Sequence, residues 1–320
     1  MTSQSVDVSI LVPTKNGEQY IRELLDMALH RQATRRRLEA IVVDSGSRDR
    51  TREIAAAQGA RVLEIPPERF NHGLTRNLLA QQAAGKYLVY LTQDATPADG
   101  NWLESLLQPM DEDVLVAGVY SAHRPRPDCD PITRFLIENE WKLTSEHTPR
   151  RVNVIYDWRD YEANRGAYVY FANTSAAIRR SVWEEIPFRE MEFAEDADWA
   201  MRALEAGYET IFEPHSVVIH SHSYTARDTL RRHYEHARAF RTTLGVVDQR
   251  PLMLRLWDAL ILGIRIAQAK STSDQRAPIH EVLGRLGAQE IGGWLGAHEE
   301  LLPSELRNRL ELQRARKAGR

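Results

Sequence analysis

The chain has 320 residues, 42% of them hydrophobic and 27% charged, which is enough to bury a full-sized core in one large domain with an appendage. Its formal net charge of −3 gives no electrostatic reason to expect a nucleic-acid partner. A single cysteine, Cys129, excludes an internal disulfide and favours a reducing cytoplasm. The polar segment Met1–Asp7 predicts no signal peptide, and no window of the sequence is apolar enough to predict a membrane span.

In the first 120 residues, short apolar runs alternate with segments of helical spacing. Strands are predicted at Val8–Pro13, Ala40–Asp44, Arg61–Ile65, Tyr87–Thr92 and Val114–Tyr120. The alternation is typical of a mostly parallel sheet with helices on both faces, wound by right-handed crossovers into a Rossmann-like α/β fold. Ligands bind at the carboxyl ends of the strands in such sheets, so the residues after each strand are candidate site residues.

The rest of the chain is less regular. Residues 125–166 are rich in proline and charge and predict one helix, near Ile132–Thr144. Next come a predicted strand over Tyr168–Ile178, a helix over Asp196–Ala206, and strands near Thr210–Phe212 and Ser216–His220. From Thr225 the pattern is helical, with longer helices at Arg227–Leu244 and Met253–Lys270 and a basic tail at Leu306–Lys317.

The segment Leu252–Ala267 is strongly apolar but is interrupted by Arg255, Asp258 and Arg265. This is the pattern of an amphipathic helix, which packs on the protein's own core, on a partner or on a membrane surface. The pattern favours core packing over the other two interpretations.

A carboxylate and a loop of small residues follow the second predicted strand. Asp44 could accept hydrogen bonds from the base or the ribose hydroxyls of a nucleoside, and the loop Ser45–Ser47 would let the backbone approach it closely. The same residues suit the start of a helix, with Ser47 or Asp49 as the N-cap. Both interpretations remain open at this point.

Asp94 follows the fourth strand, where a carboxylate can hold Mg²⁺ or Mn²⁺ against a diphosphate. A helix cap is the weaker alternative, because the next helix begins only after Pro97. His220 and His222 end a late strand, and alternate residues of a strand point to the same face. They are therefore either structural histidines or a pair that contacts a metal or a phosphate.

Two predicted helices begin with charged residues. Arg76 lies in the first turn of a helix predicted at Leu74–Ala84, where a cation is unfavourable unless it faces an anion such as a phosphate. A surface arginine is the alternative. The acidic segment Glu195–Asp198 opens another helix, which the helix dipole alone explains. It could also supply a general base that takes a proton from a hydroxyl nucleophile.

Five motifs occur in a recognisable order: VSILVPTKNG, IVVDSGSRDRT, HGLTRN, YLVYLTQDA, and FAEDADWAMRALEAGY followed by HSHSY. With them, residues from about Val8 to about Tyr224 resemble a family 2 glycosyltransferase with the GT-A fold. FNHGLTRN together with LTQDA more narrowly resembles bacterial rhamnosyltransferases, whose donor is dTDP-L-rhamnose. The resemblance implies a GT-A catalytic domain over residues 1–224 and a helical C-terminal region over residues 225–320. Within the domain, a nucleotide-binding half covers about 1–120 and an acceptor half about 121–224.

The resemblance also implies roles for particular residues. Asp196 would be the catalytic base of an inverting, single-displacement transfer to a hydroxyl group of a glycan or lipid-linked acceptor, in cell-surface polysaccharide synthesis. Asp94 would hold Mg²⁺ or Mn²⁺, with His220 or His222 as a further ligand. Thr14 and Asp44 would contact the nucleoside, and Arg76 would lie near the base or the diphosphate. The matching motifs complete the predicted donor site with Pro13, Asn16, Ser45, His72, Asn77 and Gln93.

One position departs from the family pattern. The usual Asp-x-Asp metal motif would place carboxylates at positions 92 and 94, and position 92 is a threonine. Thr92 lowers the expected metal affinity. The rhamnosyltransferase-like subgroup shares this substitution, which indicates a trait of the subgroup.

Three alternatives compete with this interpretation. The donor could be a UDP- or GDP-sugar. A nucleotidyltransferase would need a glycine-rich, basic loop after the first strand, and Pro13–Gly17 contains a single glycine. A catalytically silent scaffold of a polysaccharide assembly complex is supported only by Thr92.

For the C-terminal region, the sequence leaves open closure of the acceptor site, formation of a homodimer, and peripheral contact with a membrane. The predicted location is the cytoplasm, including the inner face of the membrane, where lipid-linked acceptors reside.

Overall fold

A computed structural model describes residues 5–141, 150–191, 193–268 and 277–311. The chain divides into two compact units. The first unit comprises Met1–Arg124 and Trp141–His220, and the second comprises Pro125–Glu140 and Ser221–Arg320. The part of the predicted basic tail beyond residue 311 lies outside the described residues, as does the end of the helix predicted at Ile132–Thr144.

One mixed sheet forms the centre of the first unit. Its strands are β1 (Val8–Thr14), β2 (Leu38–Asp44), β3 (Arg61–Glu64), β4 (Tyr87–Leu91), β5 (Thr96–Pro97), β6 (Val116–Arg124), β7 (Arg151–Asn153), β8 (Ser175–Arg179) and β9 (Glu209–Ile219). Over the described residues the strand order is β3-β2-β1-β4-β8-β6-β9-β5, and β7 pairs with β9 outside this path. β1 to β4 run parallel, and β8 runs antiparallel to both β4 and β6.

The helices of the first unit are α1 (Ile21–Leu25), α2 (Thr51–Ala57), α3 (His72–Gln82), α4 (Trp102–Glu112), α6 (Trp158–Tyr168), α7 (Arg180–Glu185) and α8 (Glu195–Glu205). Helix α5 (Pro131–Trp141) lies mostly in the second unit, with α9 (Ala226–Ala239), α10 (Leu252–Gln268), α11 (Ile279–Ala297) and α12 (Ser304–Leu310). The π-helical turns Asp26–His30 and Phe240–Leu244 extend α1 and α9, and Pro67–Arg69 and Glu299–Leu301 are 3₁₀ turns.

The sheet is buried on both faces, as its continuous apolar runs predict. Alternate residues of β1 separate onto the two faces: Val8, Ile10 and Val12 join one hydrophobic cluster, whereas Leu11 joins the other. The first cluster contains residues of α1, α2 and α4. The second contains residues of α3, α7 and α8, including the fully buried Trp199. The predicted α/β fold with helices on both faces is confirmed.

The register of the parallel half brings the predicted site residues to one edge. Thr14 lies directly opposite Asp44, so β1 and β2 end together, and β4 pairs with β1 on its other side. All three strands therefore point their carboxyl ends toward the same edge of the sheet.

The second half of the sheet differs from the sequence expectations. The strand predicted at Tyr168–Ile178 is shorter, because α6 continues to Tyr168 and only β8 is extended. Helix α6 begins inside the segment expected to be irregular, where the Asp157 side chain caps it by accepting from Arg159 N. The two strands predicted within residues 210–220 are one strand, β9, whose pairing with β6 shifts between Ser121 and Ala122.

The second unit is built around α9 and α11, which approach each other closely at two glycines. A Cβ added to Gly292 would lie 2.2 Å from the Leu230 carbonyl oxygen, and one added to Gly296 would lie equally close to the carbonyl oxygen of Tyr234. A side chain at either position would force the two helices apart.

Helix α10 packs one side against the core of the second unit and carries large apolar residues on its outer side as well. Its buried residues are Arg255, Ala259, Gly263 and Ile266. The large exposed residues are Met253, Leu254, Trp257, Leu260, Ile261 and Ile264. Their spacing places them on one stripe of the helix. None of the helices within the described ranges is long and apolar enough to cross a membrane.

Candidate active site

The loops after β1 and β4 are tied together through Gln93. Thr14 Oγ1 donates to Gln93 Oε1 at 2.6 Å, and the Lys15 backbone nitrogen donates to the same oxygen at 2.8 Å. Gln93 Nε2 in turn donates to the Lys15 carbonyl at 3.2 Å. A Cβ on Gly17 would come within 2.8 Å of both side-chain oxygens, so glycine is required where the loop turns back. The predicted donor residues Thr14 and Gln93 are thus hydrogen-bonded to each other at the ends of two neighbouring strands.

The Asp44 carboxylate organises its own loop. Its Oδ1 accepts from Gly46 N at 3.0 Å and from Ser47 N at 2.9 Å, and its Oδ2 accepts from the Ser47 hydroxyl. Asp44 is fully buried. These bonds use both carboxylate oxygens to shape the turn. The predicted contact between Asp44 and a nucleoside stays a prediction.

The same loop is bonded to the end of β1. Ser45 donates to the Thr14 carbonyl from both its backbone nitrogen, at 2.9 Å, and its hydroxyl, at 3.1 Å. Asn16 has a left-handed backbone, with φ of 51°, and its nitrogen donates to Ser47 Oγ at 2.7 Å. Pro13 lies opposite Val43, one residue before the paired strand ends. The structure thus brings the predicted residues of the first two strands together with Gln93.

The predicted metal ligand Asp94 lies beside His220, the residue that follows β9. Asp94 Oδ1 and His220 Nε2 are 3.6 Å apart, and both side chains are largely buried. The His123 ring lies 5.5 Å from the His220 ring, and burial lowers the pKa of His123 to about 4. His222 belongs to the second unit, so its predicted part in a metal site rests on its position two residues after His220 in the chain.

The HGLTRN motif forms the start of α3, which docks on the segment before α8. Asn71 Oδ1 accepts from Leu74 N at 3.1 Å, capping the helix, and from Met191 N at 3.2 Å. Asn77 accepts from Phe188 N and from the Trp183 indole, and its amide donates to the Phe188 carbonyl. Asn77, predicted in the donor site, therefore bridges α3 to residues more than a hundred positions later.

Arg76 lies in the second turn of α3 and not in the predicted first turn, because the helix begins at His72, two residues before the predicted start. Its Nη1 lies 2.8 Å from Glu195 Oε1, and the two side chains are 5% and 6% exposed. Arg76 also approaches the His72 carbonyl and ring, each at 3.3 Å, while the His72 ring packs edge-on against Phe70. Burial opposes ionisation of Glu195, but the charges of Arg76 and His72 hold its pKa below the ordinary value.

Asp196 is held by backbone groups on two sides. Asn173 N donates to its Oδ2 at 3.2 Å, and Ala197 N donates to its Oδ1 at 2.9 Å. Burial and the neighbouring Glu195 charge raise the pKa of Asp196 to about 7. The carboxylate is therefore suited to accept a proton near neutral pH.

A short path of hydrogen bonds connects the end of β4 to Asp196. Thr92 N donates to the Thr174 carbonyl at 3.1 Å, directly beside Asn173. Asn173 also donates from its side chain to Glu195 Oε1 at 3.4 Å. The structure therefore brings the predicted base to the part of the sheet where Asp94, the predicted metal ligand, follows β4.

Three residues beside the predicted site were not singled out from the sequence. Glu195 was named only within the acidic segment that starts a helix or supplies a base, and its burial with Arg76 depends on tertiary packing. Asn173 and His123 carry no motif signal, since each gains its position from a neighbouring element.

Two family models match the chain. Residues 9–186 match the model described as glycosyl transferase family 2, and residues 111–273 match that of glycosyl transferase family group 2. The O-antigen chain rhamnosyltransferase RfbN of Salmonella typhimurium is 31% identical over 232 residues, 71% of this chain and 70% of the relative. WbaN of Salmonella anatum, with the same description, is 32% identical over 234 residues, again 71% and 70%.

Solved structures share the fold at low sequence identity. Staphylococcus aureus TarS 1–349 in complex with UDP has a TM-score of 0.53 and 15% identity, with 93% of each chain covered. Glucosyl-3-phosphoglycerate synthase from Mycobacterium tuberculosis, in complex with Mn²⁺, UDP and glucosyl-3-phosphoglycerate, has a TM-score of 0.51 and 16% identity over 76% of this chain and 82% of that one. The predicted GT-A fold is confirmed.

Gly73 tests the docking of α3. A Cβ at Gly73 would lie 1.9 Å from the Arg189 carbonyl oxygen, so Gly73→Ala must push α3 away from the segment before α8. We expect a loss of about 1–3 kcal/mol in the free energy of unfolding, measured by chemical denaturation.

Gly284→Ala is the matched control, because Gly284 lies within α11 and a Cβ there meets no atom within 4 Å. It should leave the midpoint unchanged or raise it slightly. Unfolding of Gly73→Ala at the wild-type denaturant concentration would contradict the docking.

Proposed function

The chain belongs to glycosyl transferase family 2, and on that premise we propose that it transfers L-rhamnose from dTDP-L-rhamnose, with inversion, to a hydroxyl group of a glycan or lipid-linked acceptor in cell-surface polysaccharide synthesis. The observation that carries the chemistry is Asp196, a carboxylate with a pKa of about 7 linked by hydrogen bonds to the end of β4. The choice of donor rests on the likeness to RfbN and WbaN, both described as O-antigen chain rhamnosyltransferases.

In this proposal Asp196 accepts the proton of the acceptor hydroxyl as its oxygen attacks the anomeric carbon of the donor. The new glycosidic bond forms as the bond to the diphosphate breaks, and attack from the opposite face inverts the configuration. The bonds from Asn173 N and Ala197 N orient the Asp196 carboxylate. Thr14, Gln93 and the loop after Asp44 lie at the carboxyl edge of the sheet, where the nucleoside would bind.

The residues at the end of β4 fit a divalent cation. Asp94 and His220 offer an oxygen and a nitrogen ligand 3.6 Å apart, a donor set that Mn²⁺ accepts more readily than Mg²⁺ does. The mycobacterial synthase of the same fold was solved with Mn²⁺ and UDP. A bound cation would offset the charge of the departing diphosphate. We place Asp94 and His220 in this role, with His222 as a further predicted ligand.

Donor and base are tested together. The thermal midpoint of the purified protein should rise with dTDP-rhamnose, and more strongly with Mn²⁺ present. Asp196→Asn should keep this shift while the turnover number falls by about 10²-fold or more, since a general base typically contributes that much. Turnover is measured as release of dTDP with a hydroxyl acceptor.

Stabilisation by a UDP- or GDP-sugar instead would replace the rhamnose donor. Donor binding without turnover, across a range of acceptors and with metal present, would favour a silent scaffold. Near-wild-type turnover by Asp196→Asn would remove Asp196 from its role.

If Asp94 binds the metal ion, its replacement should remove the part of the thermal stabilisation that depends on Mn²⁺. Asp94→Asn should abolish the additional stabilisation that Mn²⁺ gives to the dTDP complex, because an amide is a much weaker ligand than a carboxylate. Asp99→Asn is the matched control, since Asp99 lies exposed five residues later and its Oδ1 accepts from Asn101 N. A Mn²⁺ increment retained in Asp94→Asn would exclude Asp94 as a ligand.

The exposed stripe of α10 supports peripheral contact with the inner face of a membrane that carries lipid-linked acceptors. Trp257 and Met253 are 60% and 77% exposed, and apolar residues on a helix surface insert at the boundary between lipid headgroups and acyl chains.

Vesicles of phosphatidylethanolamine and phosphatidylglycerol test this contact by co-flotation. Replacement of Trp257 and Ile261 by serine should weaken binding by at least about tenfold, from the loss of two buried apolar side chains. Val114 and Tyr156, exposed in the first unit, give a matched double serine control. Dimers in light scattering that the Trp257 and Ile261 changes dissociate, without vesicle binding, would assign the stripe to a homodimer instead.

A further inference from the structure

The strongest feature that the proposed function leaves unused is the ion pair behind Asp196. Arg76 was expected to face an anionic ligand, yet its guanidinium meets Glu195, and the two side chains are 5% and 6% exposed. Glu195 precedes Asp196 in the first turn of α8. Arg76 is therefore placed to act on the residue beside the base.

Asn173 connects the two carboxylates. Its backbone nitrogen donates to Asp196 Oδ2 at 3.2 Å, and its side-chain nitrogen lies 3.4 Å from Glu195 Oε1. The same Glu195 oxygen lies 2.8 Å from Arg76 Nη1. Movement of the Glu195 side chain would thus disturb both the ion pair and the group that orients Asp196.

The backbone before α8 is constrained as well. Ala194, the residue before Glu195, has a left-handed backbone conformation with φ of 60°. This conformation is unfavourable for alanine, so the surrounding structure must hold it. The preceding segment is fixed to α3 through Asn71 and Asn77. Arg76 lies between these two asparagines in the chain, on the same helix.

We propose that Arg76 and Glu195 are positioning residues, which hold Asp196 through Asn173 and set its affinity for a proton through the Glu195 charge, and that Arg76 makes no contact with the sugar donor. The proposal rests on the proposed role of Asp196 as the base. The charged groups facing the acidic pair are Arg76 and His72 on α3. Asp198, in the same turn of α8, instead pairs with Arg189 and Arg202.

The negative charge of Glu195 raises the pKa of Asp196. A negative neighbour makes ionisation of Asp196 harder, so its removal must lower the pKa of Asp196. In Glu195→Gln the Arg76 charge remains and continues to favour the ionised form of Asp196. Replacing both residues by glutamine removes the two opposing influences together, and the Glu195 influence is the larger.

The test follows the Asp196 carboxyl carbon by NMR, in protein labelled with ¹³C-carboxyl aspartate, with Asp196→Asn to assign the resonance. Its midpoint should lie near pH 7 in the wild type. We expect the midpoint to fall by at least about one pH unit in Glu195→Gln, and to lie between these two values in Arg76→Gln/Glu195→Gln. The double variant leaves no unpaired buried charge, so it remains informative where the single variant does not fold.

Asp198→Asn is the matched control. It removes a buried carboxylate from the same helical turn, paired with two arginines, and should leave the Asp196 midpoint unchanged. A Glu195→Gln midpoint equal to the wild-type value, or a shift of the same size in Asp198→Asn, would overturn the proposal.

A second readout separates positioning from donor contact. The double variant should bind dTDP within about twofold of the wild type while its acidic pH–rate limb moves to lower pH, whereas loss of a bidentate phosphate contact would weaken binding by about tenfold or more. Tenfold weaker dTDP binding by the double variant would overturn the assignment of Arg76. The NMR titration needs no turnover, so failure of dTDP-rhamnose as donor and failure of this inference are seen separately.

Discussion

Arg76 and Glu195 place a full positive and a full negative charge in the interior of the first unit, 2.8 Å apart. Removing an ion from water costs several kcal/mol, and the attraction between two ions offsets this only when their geometry is well held. The HGLTRN motif provides that hold. Asn71 and Asn77 bond to the segment before α8, and Gly73 allows the backbones to approach. The motif therefore has to be present as a unit, because a displaced helix would leave a buried charge without its partner.

The parallel half of the fold could be predicted from the sequence because its signals are local. Strands that are buried on both faces need continuous apolar runs, and β1, β2 and β4 show them. The antiparallel β8 could not be placed in the same way. Its direction depends on pairing with β4 and β6, and neither partner is close to it in the sequence. The segment before β8 has the apolar composition of a strand. Its Phe171 packs against Trp199 although the segment is not part of the sheet.

The sequence identified several residues of the candidate site, but it did not identify the contacts that these residues make. Strand ends identified Thr14, Asp44 and Asp94, because parallel strands end at one edge. The partners of Arg76 and Asn77 could not be identified, since they lie more than a hundred residues away. For Arg76, a dipole argument suggested an external anion, and the structure shows an anion supplied by α8. Charge alone indicated that a partner was needed, and only tertiary structure identified it.

Thr92 acquires a physical meaning in this arrangement. Its Oγ1 is buried and has no hydrogen-bond partner among the described residues, so a carboxylate at that position would be costly. Its backbone nitrogen nevertheless ties the end of β4 to Thr174, beside the asparagine that orients Asp196. A second acid there would also add negative charge on the side of the sheet next to Asp196, whose pKa is already raised by burial and by Glu195. The threonine thus limits the charge that this edge of the sheet must carry, and leaves Arg76 and Glu195 to balance each other.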